Sequence, residues 1–201
     1  YPESMGITND IKNITPPLRL FFYPYAQSSV DFKKGNRPTN NYSAGMDLKY
    51  GISNSFTLDA TLIPDFGQVT FDDKELNLTP FEQQFDENRA FFTEGASLFN
   101  KADGQSFRAG NFFYSRRIGD EISFDEDDYL QNDEEILNYD GKPDLLNSIK
   151  ITGTTDSGLS IGIINSITNN AYARIRNTNT NEIRSQKIAP LTNFNILSLT
   201  Q

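Results

Sequence analysis

Two short runs of the chain alternate between apolar and polar side chains with a period of two. In residues 44–50 the even positions are apolar and the odd positions are polar or Gly, and residues 56–62 repeat the pattern in the same sense. Residues 51–55 between them have the composition of a turn. Because successive side chains of a strand point to opposite faces, the runs predict an antiparallel hairpin with one apolar face and one polar face.

Similar patterns predict strands along most of the chain. The C-terminal part favours two further hairpins and a last strand that begins near Asn193. Upstream, residues 18–23 are predicted to form a strand that Pro24 closes, because proline lacks the backbone donor of a sheet ladder. The other predicted elements are a loop or hairpin tip at 28–39, a strand at 107–118, a hairpin of 148–153 with 159–163, and a hairpin of 171–176 with 182–188.

This alternation is compatible with two all-β architectures. A soluble β-sandwich would turn the polar residues, among them Asp47, Lys49 and Asp59, toward water. A transmembrane β-barrel would turn the same residues into its lumen and the apolar rows toward lipid. No apolar run approaches the roughly 20 residues of a membrane-spanning helix, but barrel strands need only about 9–11. The pattern alone leaves both architectures open.

The alternation stops between residues 63 and 100, where a short helix is predicted to begin with Thr79 as N-cap and Pro80 as its first residue. This segment is either a plug folded into a barrel lumen or a periplasmic loop packed by its Phe residues. In a plug the charges must be paired, because buried unpaired charges are costly. The candidate lumenal charge network is Asp65, Glu82, Glu87, Arg89, Glu94, Arg116 and Arg117.

Two charged stretches have a plain and a functional interpretation. Arg116 and Arg117 fit a selectivity ring or anion site of a pore, or an ordinary structural salt bridge, and in a strand only one of them faces the lumen. Residues 120–147 are predicted to be an acidic, solvated loop. Calcium binding is the functional alternative, because hard cations bind several oxygens, but the acids lack the spacing of an EF-hand and the solvated loop is favoured.

The composition excludes several functions. The chain has 18 Lys and Arg against 27 Asp and Glu, a net charge of −9, which argues against nucleic-acid binding. It has no Cys and no His, which excludes a disulfide, a His- or Cys-ligated metal and a Ser-His-Asp triad. Glu82, Glu87 and Glu94 offer an acid–base pair only in the sense that any acidic protein does. We therefore predict no catalytic residue, no metal and no cofactor.

Several ordered blocks between Met46 and Gly119 resemble an uncharacterised family of bacterial outer-membrane β-barrels, whose members usually begin with a family-9-like carbohydrate-binding domain. Weaker similarity extends the resemblance over most of residues 18–201. The blocks are 47–51, 57–61, 64–69, 77–79, 81–82, 89, 91–92, 94–95 and 113–119. The chain departs from the family at Ile63, where Asn is more usual, at Thr70, where an acid is, and at Asn88 and Ala90, where Lys and Pro are.

The resemblance implies a partial transmembrane barrel of antiparallel strands in the bacterial outer membrane. Residues 1–40 are then a lead-in with the first strand and residues 41–201 the N-terminal part of the barrel. The expected function is transport, or a role as subunit of an envelope complex, and the alternative is a soluble β-sandwich that binds carbohydrate. The expected partners are outer-membrane lipid, lipopolysaccharide, and other outer-membrane or periplasmic proteins. Tyr1 to Ser4 carry no initiator Met and no signal peptide, so we expect an internal fragment.

Overall fold

The computed structural model of the chain describes residues 17–32, 38–63, 85–99, 113–123, 125–139 and 141–201. These ranges form an all-β, antiparallel structure with a six-stranded sheet, order β1-β2-β3-β5-β6-β9, and a three-stranded sheet, order β4-β7-β8. The strands are β1 Leu20–Asp31, β2 Thr39–Gly51, β3 Phe56–Leu62, β4 Glu134–Tyr139, β5 Leu145–Thr154, β6 Ser160–Thr168, β7 Ala171–Asn177, β8 Ile183–Ala189 and β9 Thr192–Thr200.

The small sheet continues the large sheet in the same register. Strand β6 leads into β7, and β8 leads into β9, after breaks of two residues. The pairing of Thr168 with Thr192 in the large sheet is followed by the pairing of Ala171 with Ala189 in the small one. Strands β4 and β5 likewise pair with β7 and β6. The described strands therefore follow one another as a single up-and-down meander, with irregular register where the sheets divide.

The connections differ between the two ends of the large sheet. At one end, β2 and β3 are joined by residues 52–55, and β5 and β6 by residues 155–159. At the opposite end the chain leaves β3 for a long excursion before β4, and the small sheet extends from the same end. Among the described residues β1 and β9 are the outer strands of this sheet and do not pair with each other, so the sheet as described is open.

One face of the large sheet carries apolar side chains across four strands, with Asn165, Asn193 and Asn195 at the end toward the small sheet. Leu58, Ile151, Ile163 and Leu197 are cross-strand neighbours on this face, which we call the apolar face. Ile163 is 39% exposed and Leu197 is 65% exposed. Single exposed apolar residues are ordinary on a protein surface, whereas here they form a row across four strands.

The opposite face, the polar face, is buried over β5 and β6 and open to solvent over β1. Ser148, Lys150, Ser166 and Thr168 point to it and are all but inaccessible to solvent. They are covered by residues 85–99 and 113–118, which we call the covering segment. Burial of polar groups is costly unless they are hydrogen-bonded, so this face demands partners from the segment that covers it.

The covering segment is built from single helical turns rather than strands. It contains the helix α1, Ala90–Thr93, and two 3-10 helices, Ala96–Leu98 and Ser115–Arg117. Its Phe92 and Ile118 form the hydrophobic core with Leu145 and Ile164 of the sheet. A short helix, 3-10 in type, also lies at Glu126–Asp128, outside this segment. No helix in the described ranges is long and apolar enough to cross a membrane.

The three hairpins predicted from the alternation are confirmed as β2–β3, β5–β6 and β7–β8. Four other predictions need correction or fall outside the description. Strand β1 continues through Pro24 to Asp31, which an outer strand tolerates because proline needs no partner on a free edge. The predicted loop at 120–147 contains β4 and the start of β5, and residues 115–117 are helical rather than extended. The predicted helix start at Thr79 lies outside the described residues.

Ile63 leaves β3 in a left-handed conformation, with φ +48°. For a β-branched side chain this conformation is strained, whereas Asn adopts it readily. We expect Ile63→Asn to raise the free energy of unfolding by about 1 kcal/mol in urea titrations. The matched control is Leu62→Asn, which makes a similar change at a neighbouring exposed site that is not among the positive-φ positions. Equal effects of the two substitutions would contradict the assignment of strain to Ile63.

Candidate functional site

Three charged residues lie side by side on the polar face. Lys49 of β2 pairs in register with Asp59 of β3, and Asp59 pairs with Lys150 of β5. Cross-strand neighbours bring their Cβ atoms to about 5 Å, so side chains of opposite charge in this order attract one another. The row forms the sheet side of a charge network whose other side belongs to the covering segment.

Lys150 joins the sheet to the covering segment. Its residue is 1% exposed, and its Nζ lies 3.6 Å from Oδ2 of Asp59. The same ammonium donates hydrogen bonds to the backbone carbonyls of Phe91, at 2.6 Å, and Glu94, at 2.7 Å. It also lies 4.8 Å from the centre of the Phe91 ring. A lysine ammonium has three donors, so these partners compensate the removal of its charge from water.

A second lysine holds the same part of the covering segment. Lys49 forms a salt bridge with the carboxylate of Glu94, and its Nζ lies 3.9 Å from Oδ1 of Asp59. The hydrogen bond from Lys49 lowers the pKa of Glu94 below its usual value. This pair is partly open to solvent, so it contributes less to stability than the buried contacts of Lys150.

Glu87 and Arg89 organise the covering segment from within. The guanidinium of Arg89 donates hydrogen bonds to both carboxylate oxygens of Glu87, at 2.7 and 2.8 Å. It also donates to the backbone carbonyls of Ile118, at 2.6 Å, and Ser115, at 2.8 Å. The Ser115 hydroxyl donates to Glu87 at 2.6 Å. Burial by itself raises the pKa of Glu87, but the hydrogen bonds from Arg89 and Ser115 outweigh it and lower the pKa. The pair thus ties residues 87–89 to residues 115–118.

The structure describes five of the seven residues that were predicted to form a charge network. Glu87, Arg89 and Glu94 lie in the covering segment and are engaged as described, with Lys49 rather than a nearby arginine on Glu94. Asp65 and Glu82 lie outside the described residues. The other two predicted members are Arg116, which donates to the carbonyl of Asp86 at 3.3 Å, and Arg117, whose guanidinium lies 5.8 Å from the centre of the Tyr114 ring.

Lys150, which contacts both the sheet and the covering segment, was not predicted from the sequence. Asp47, Lys49 and Asp59 were assigned to the polar face from the alternation in β2 and β3. The same alternation in β5 places Ser148, Lys150 and Thr152 on one face, so the signal was present. What the pattern lacked was the cross-strand register, which puts Lys150 beside Asp59.

Close approaches of backbone fix where the covering segment lies. The ring of Phe99 sits over Gly162 of β6, where an added Cβ would come within 2.7 Å of a ring atom. Gly95 adopts φ +72°, a left-handed conformation that turns the chain above Thr152. Ser198 of β9 donates a hydrogen bond to the carbonyl of Leu98. Segment and sheet are therefore fitted to each other over β5, β6 and β9.

The charged side chains of this site are paired with one another rather than set apart as reactive groups. The described carboxylates at its centre, Asp59, Glu87 and Glu94, each face a cationic side chain. Within the described ranges no three acidic side chains are grouped so that they could hold a metal ion. Chemically, the network can fix a segment of irregular backbone against a polar wall, and ions or protons can compete for its charges.

We expect Lys150→Met to loosen the covering segment. The substitution leaves Asp59 and two backbone carbonyls buried without their cation, and the free energy of unfolding should fall by about 3–5 kcal/mol. Hydrogen exchange of residues 90–99 should accelerate at the same time. The control is Lys49→Met, whose partly exposed pair should cost at most about 1 kcal/mol. Equal losses in the two variants would contradict the central place given to Lys150.

The lowered pKa of Glu87 predicts a pH dependence. Because the pKa is lower in the folded state than in the unfolded chain, the ion pair stabilises fully above the usual value of 4.5. The stabilisation is lost as the pH falls through the lowered value. The difference in unfolding free energy between the unaltered chain and Glu87→Gln should therefore be constant near pH 7 and shrink below pH 4.5. A difference that does not change with pH would refute this role.

Comparison with known proteins identifies a family without naming an activity. No curated protein and no solved structure matches the chain. A family model described as a domain of unknown function, DUF5916, matches residues 16–201, which include every described strand and the covering segment. The chain therefore belongs to the DUF5916 family of domains of unknown function.

Proposed function

We propose that this chain forms part of the wall of an outer-membrane β-barrel, with the covering segment as a plug on the lumenal side. The barrel serves transport across the outer membrane or forms a subunit of an envelope complex. Its partners are then outer-membrane lipid and lipopolysaccharide around the apolar face, together with other proteins of the outer membrane or periplasm.

The observation that carries the proposal is the inverted polarity of the large sheet. Lys150, Ser148 and Ser166 are buried, whereas Ile163 and Leu197, on the other face, are exposed. A water-soluble sheet gains stability by the reverse arrangement, because burial of apolar area is the main favourable term in folding. Apolar side chains outside and polar side chains inside are the arrangement of a wall between lipid and a polar lumen.

The ends of the apolar face support the same proposal. Tyr42 of β2, which is 76% exposed, lies toward the end with the long excursions, and Phe56 of β3 lies at the end with the short turns. Between them the face carries Met46, Leu48 and Leu58. Barrel walls carry aromatic girdles at both membrane interfaces, flanking an aliphatic band.

The meander fits a barrel wall in its connections as well. Barrels of the outer membrane have short turns on the periplasmic side and longer excursions on the outer side. Residues 52–55 and 155–159 are then periplasmic turns. The long excursion after β3 and the small sheet lie on the outer side, and the plug folds back from there onto the polar face. Irregular backbone is tolerated at membrane depth when protein surrounds it or it lines a wet cavity.

The alternative, a soluble carbohydrate-binding β-sandwich, requires a second layer on the apolar face. In a sandwich the apolar faces of two sheets are turned toward each other and buried. Here the small sheet prolongs the large one through shared register instead of stacking on that face. The proposal is tested by fractionating cells that produce the full-length protein. Recovery with outer-membrane vesicles and dependence on detergent support the barrel, whereas a monodisperse protein in buffer alone contradicts it.

The energetic cost of an arginine on the apolar face distinguishes a face in water from a face in lipid. In water, Ile163→Arg changes an exposed position and should alter the unfolding free energy by no more than about 0.5 kcal/mol. In a bilayer the same change should cost about 2–4 kcal/mol when the residue lies near the midplane. We expect the larger cost for the full-length protein refolded into lipid vesicles, with Asp156→Arg in the turn as a neutral control. A small effect at Ile163 argues against contact with acyl chains.

A further inference from the structure

Two aromatic rings lie exposed on the polar face of the sheet, beside the covering segment. Phe21 and Tyr23 alternate along β1 and are 50% and 55% exposed. Their ring centres are 6.4 Å apart and their planes differ by only 13°. In register, Phe21 lies opposite Lys49 and Tyr23 opposite Asp47, which places both rings on the polar face. Leu145 and Ile164 on the same face are buried in the core, whereas these two rings are half exposed.

The next aromatic residue of β1 on this face is tied down. The Tyr25 hydroxyl donates a hydrogen bond to the carbonyl of Ile63 at 2.8 Å. To reach it, the side chain crosses β2 at Gly45, where the hydroxyl occupies the space that a Cβ would need. The Tyr25 side chain thus links β1 to the end of β3. The side chains of Phe21 and Tyr23, by contrast, remain about half exposed to solvent.

The polar neighbours of the two rings limit what can bind there. Charges of both signs lie beside the rings, because Asp47 pairs in register with Tyr23 and Lys49, which is bridged to Glu94, pairs with Phe21. An anionic ligand is disfavoured next to a carboxylate in a chain of net charge −9. An acyl chain is disfavoured by the polar positions that follow on this face, Gln27 and Ser43, which pair in register. A neutral ligand with apolar faces and a polar rim matches both the rings and the mixed charges of Asp47 and Lys49.

We propose that Phe21, Tyr23 and Asp47 form a binding strip for a neutral saccharide chain. A pyranose ring presents a face of C–H groups that can lie on an aromatic ring, and its hydroxyl groups donate hydrogen bonds to a carboxylate. Two near-parallel rings in sequence along one strand accept consecutive sugar units. The inference rests on the proposed function in one respect only: in a barrel, this strip lines the lumen next to the plug.

The test measures sugar binding by the full-length protein in a detergent without a sugar headgroup. The probes are neutral hexasaccharides of glucose, N-acetylglucosamine, mannose and galactose. Their binding is measured by calorimetry and saturation-transfer NMR. We expect binding of at least one of them. Phe21→Ala and Tyr23→Ala should each weaken it by about three- to tenfold, the range of a single aromatic contact. Asp47→Asn should weaken it without a change in the stability of the protein.

The matched control lies in the same strand. Phe22 is 54% exposed, similar to its two neighbours, but points to the apolar face, so Phe22→Ala should leave sugar binding unchanged. Absence of binding to all four hexasaccharides overturns the inference, as does preferential binding of spermine, which would assign the strip to cations. An equal loss in the Phe22 variant also overturns it. Membrane fractionation is read separately, so failure of the sugar strip and failure of the barrel proposal are distinguishable.

Discussion

The structure depends on the partners of one buried ammonium group. Lys150 lies in the middle of the polar face, and leaving its charge buried without compensation would cost several kcal/mol. Asp59 supplies the opposite charge from the sheet, and the carbonyls of Phe91 and Glu94 supply acceptors from outside it. A polar sheet face of this kind cannot be closed by an ordinary apolar layer, because the covering element must bring acceptors at defined positions.

This requirement explains why the covering segment is irregular. Helical turns as short as Ala90–Thr93 leave backbone carbonyls without intrahelical partners, and these are the groups that Lys150 needs. The Glu87–Arg89 pair and the core around Phe92 hold the turns in place. The covering segment thus supplies the partners of Lys150 on one face, while the apolar face of the same strands is left uncovered by it. Which face is covered decides which face of the sheet is buried and which is exposed. The proposed membrane location rests on this difference.

Much of the sheet could be predicted from the sequence because alternation is a local signal. Residues 44–50 with 56–62 identified β2 and β3, and with them the polar side on which Lys49 and Asp59 lie. Pro24 misled the prediction of β1, because a local rule against proline in a sheet does not reveal that a strand is an outer one. Likewise, Arg116 and Arg117 follow an aromatic run typical of strands, yet tertiary contacts of residues 113–118 with the sheet impose a helical turn.

The contacts of the site were less accessible to sequence reasoning because they depend on register and on long-range packing. Lys150 and the carbonyl of Phe91 are far apart along the chain and meet only when β5 pairs with β3 and the segment folds back. The partner of Glu94 is a lysine two strands away from Lys150, which no spacing rule indicates. The sequence indicated which charged residues belong to a network, but it did not indicate which of them pair with each other.

The central claim, that the apolar face meets lipid while the polar face lies under the covering segment, is tested most directly on β6. The chain has no cysteine, so single cysteines at each position of 160–168 can carry a spin label in the protein embedded in lipid vesicles. We expect labels at Ile161 and Ile163 to collide with oxygen dissolved among the acyl chains and labels at Gly162 and Ile164 to collide little, so that collisions alternate along the strand with a period of two. Preferential collision of the Ile163 label with a water-soluble nickel complex would contradict it.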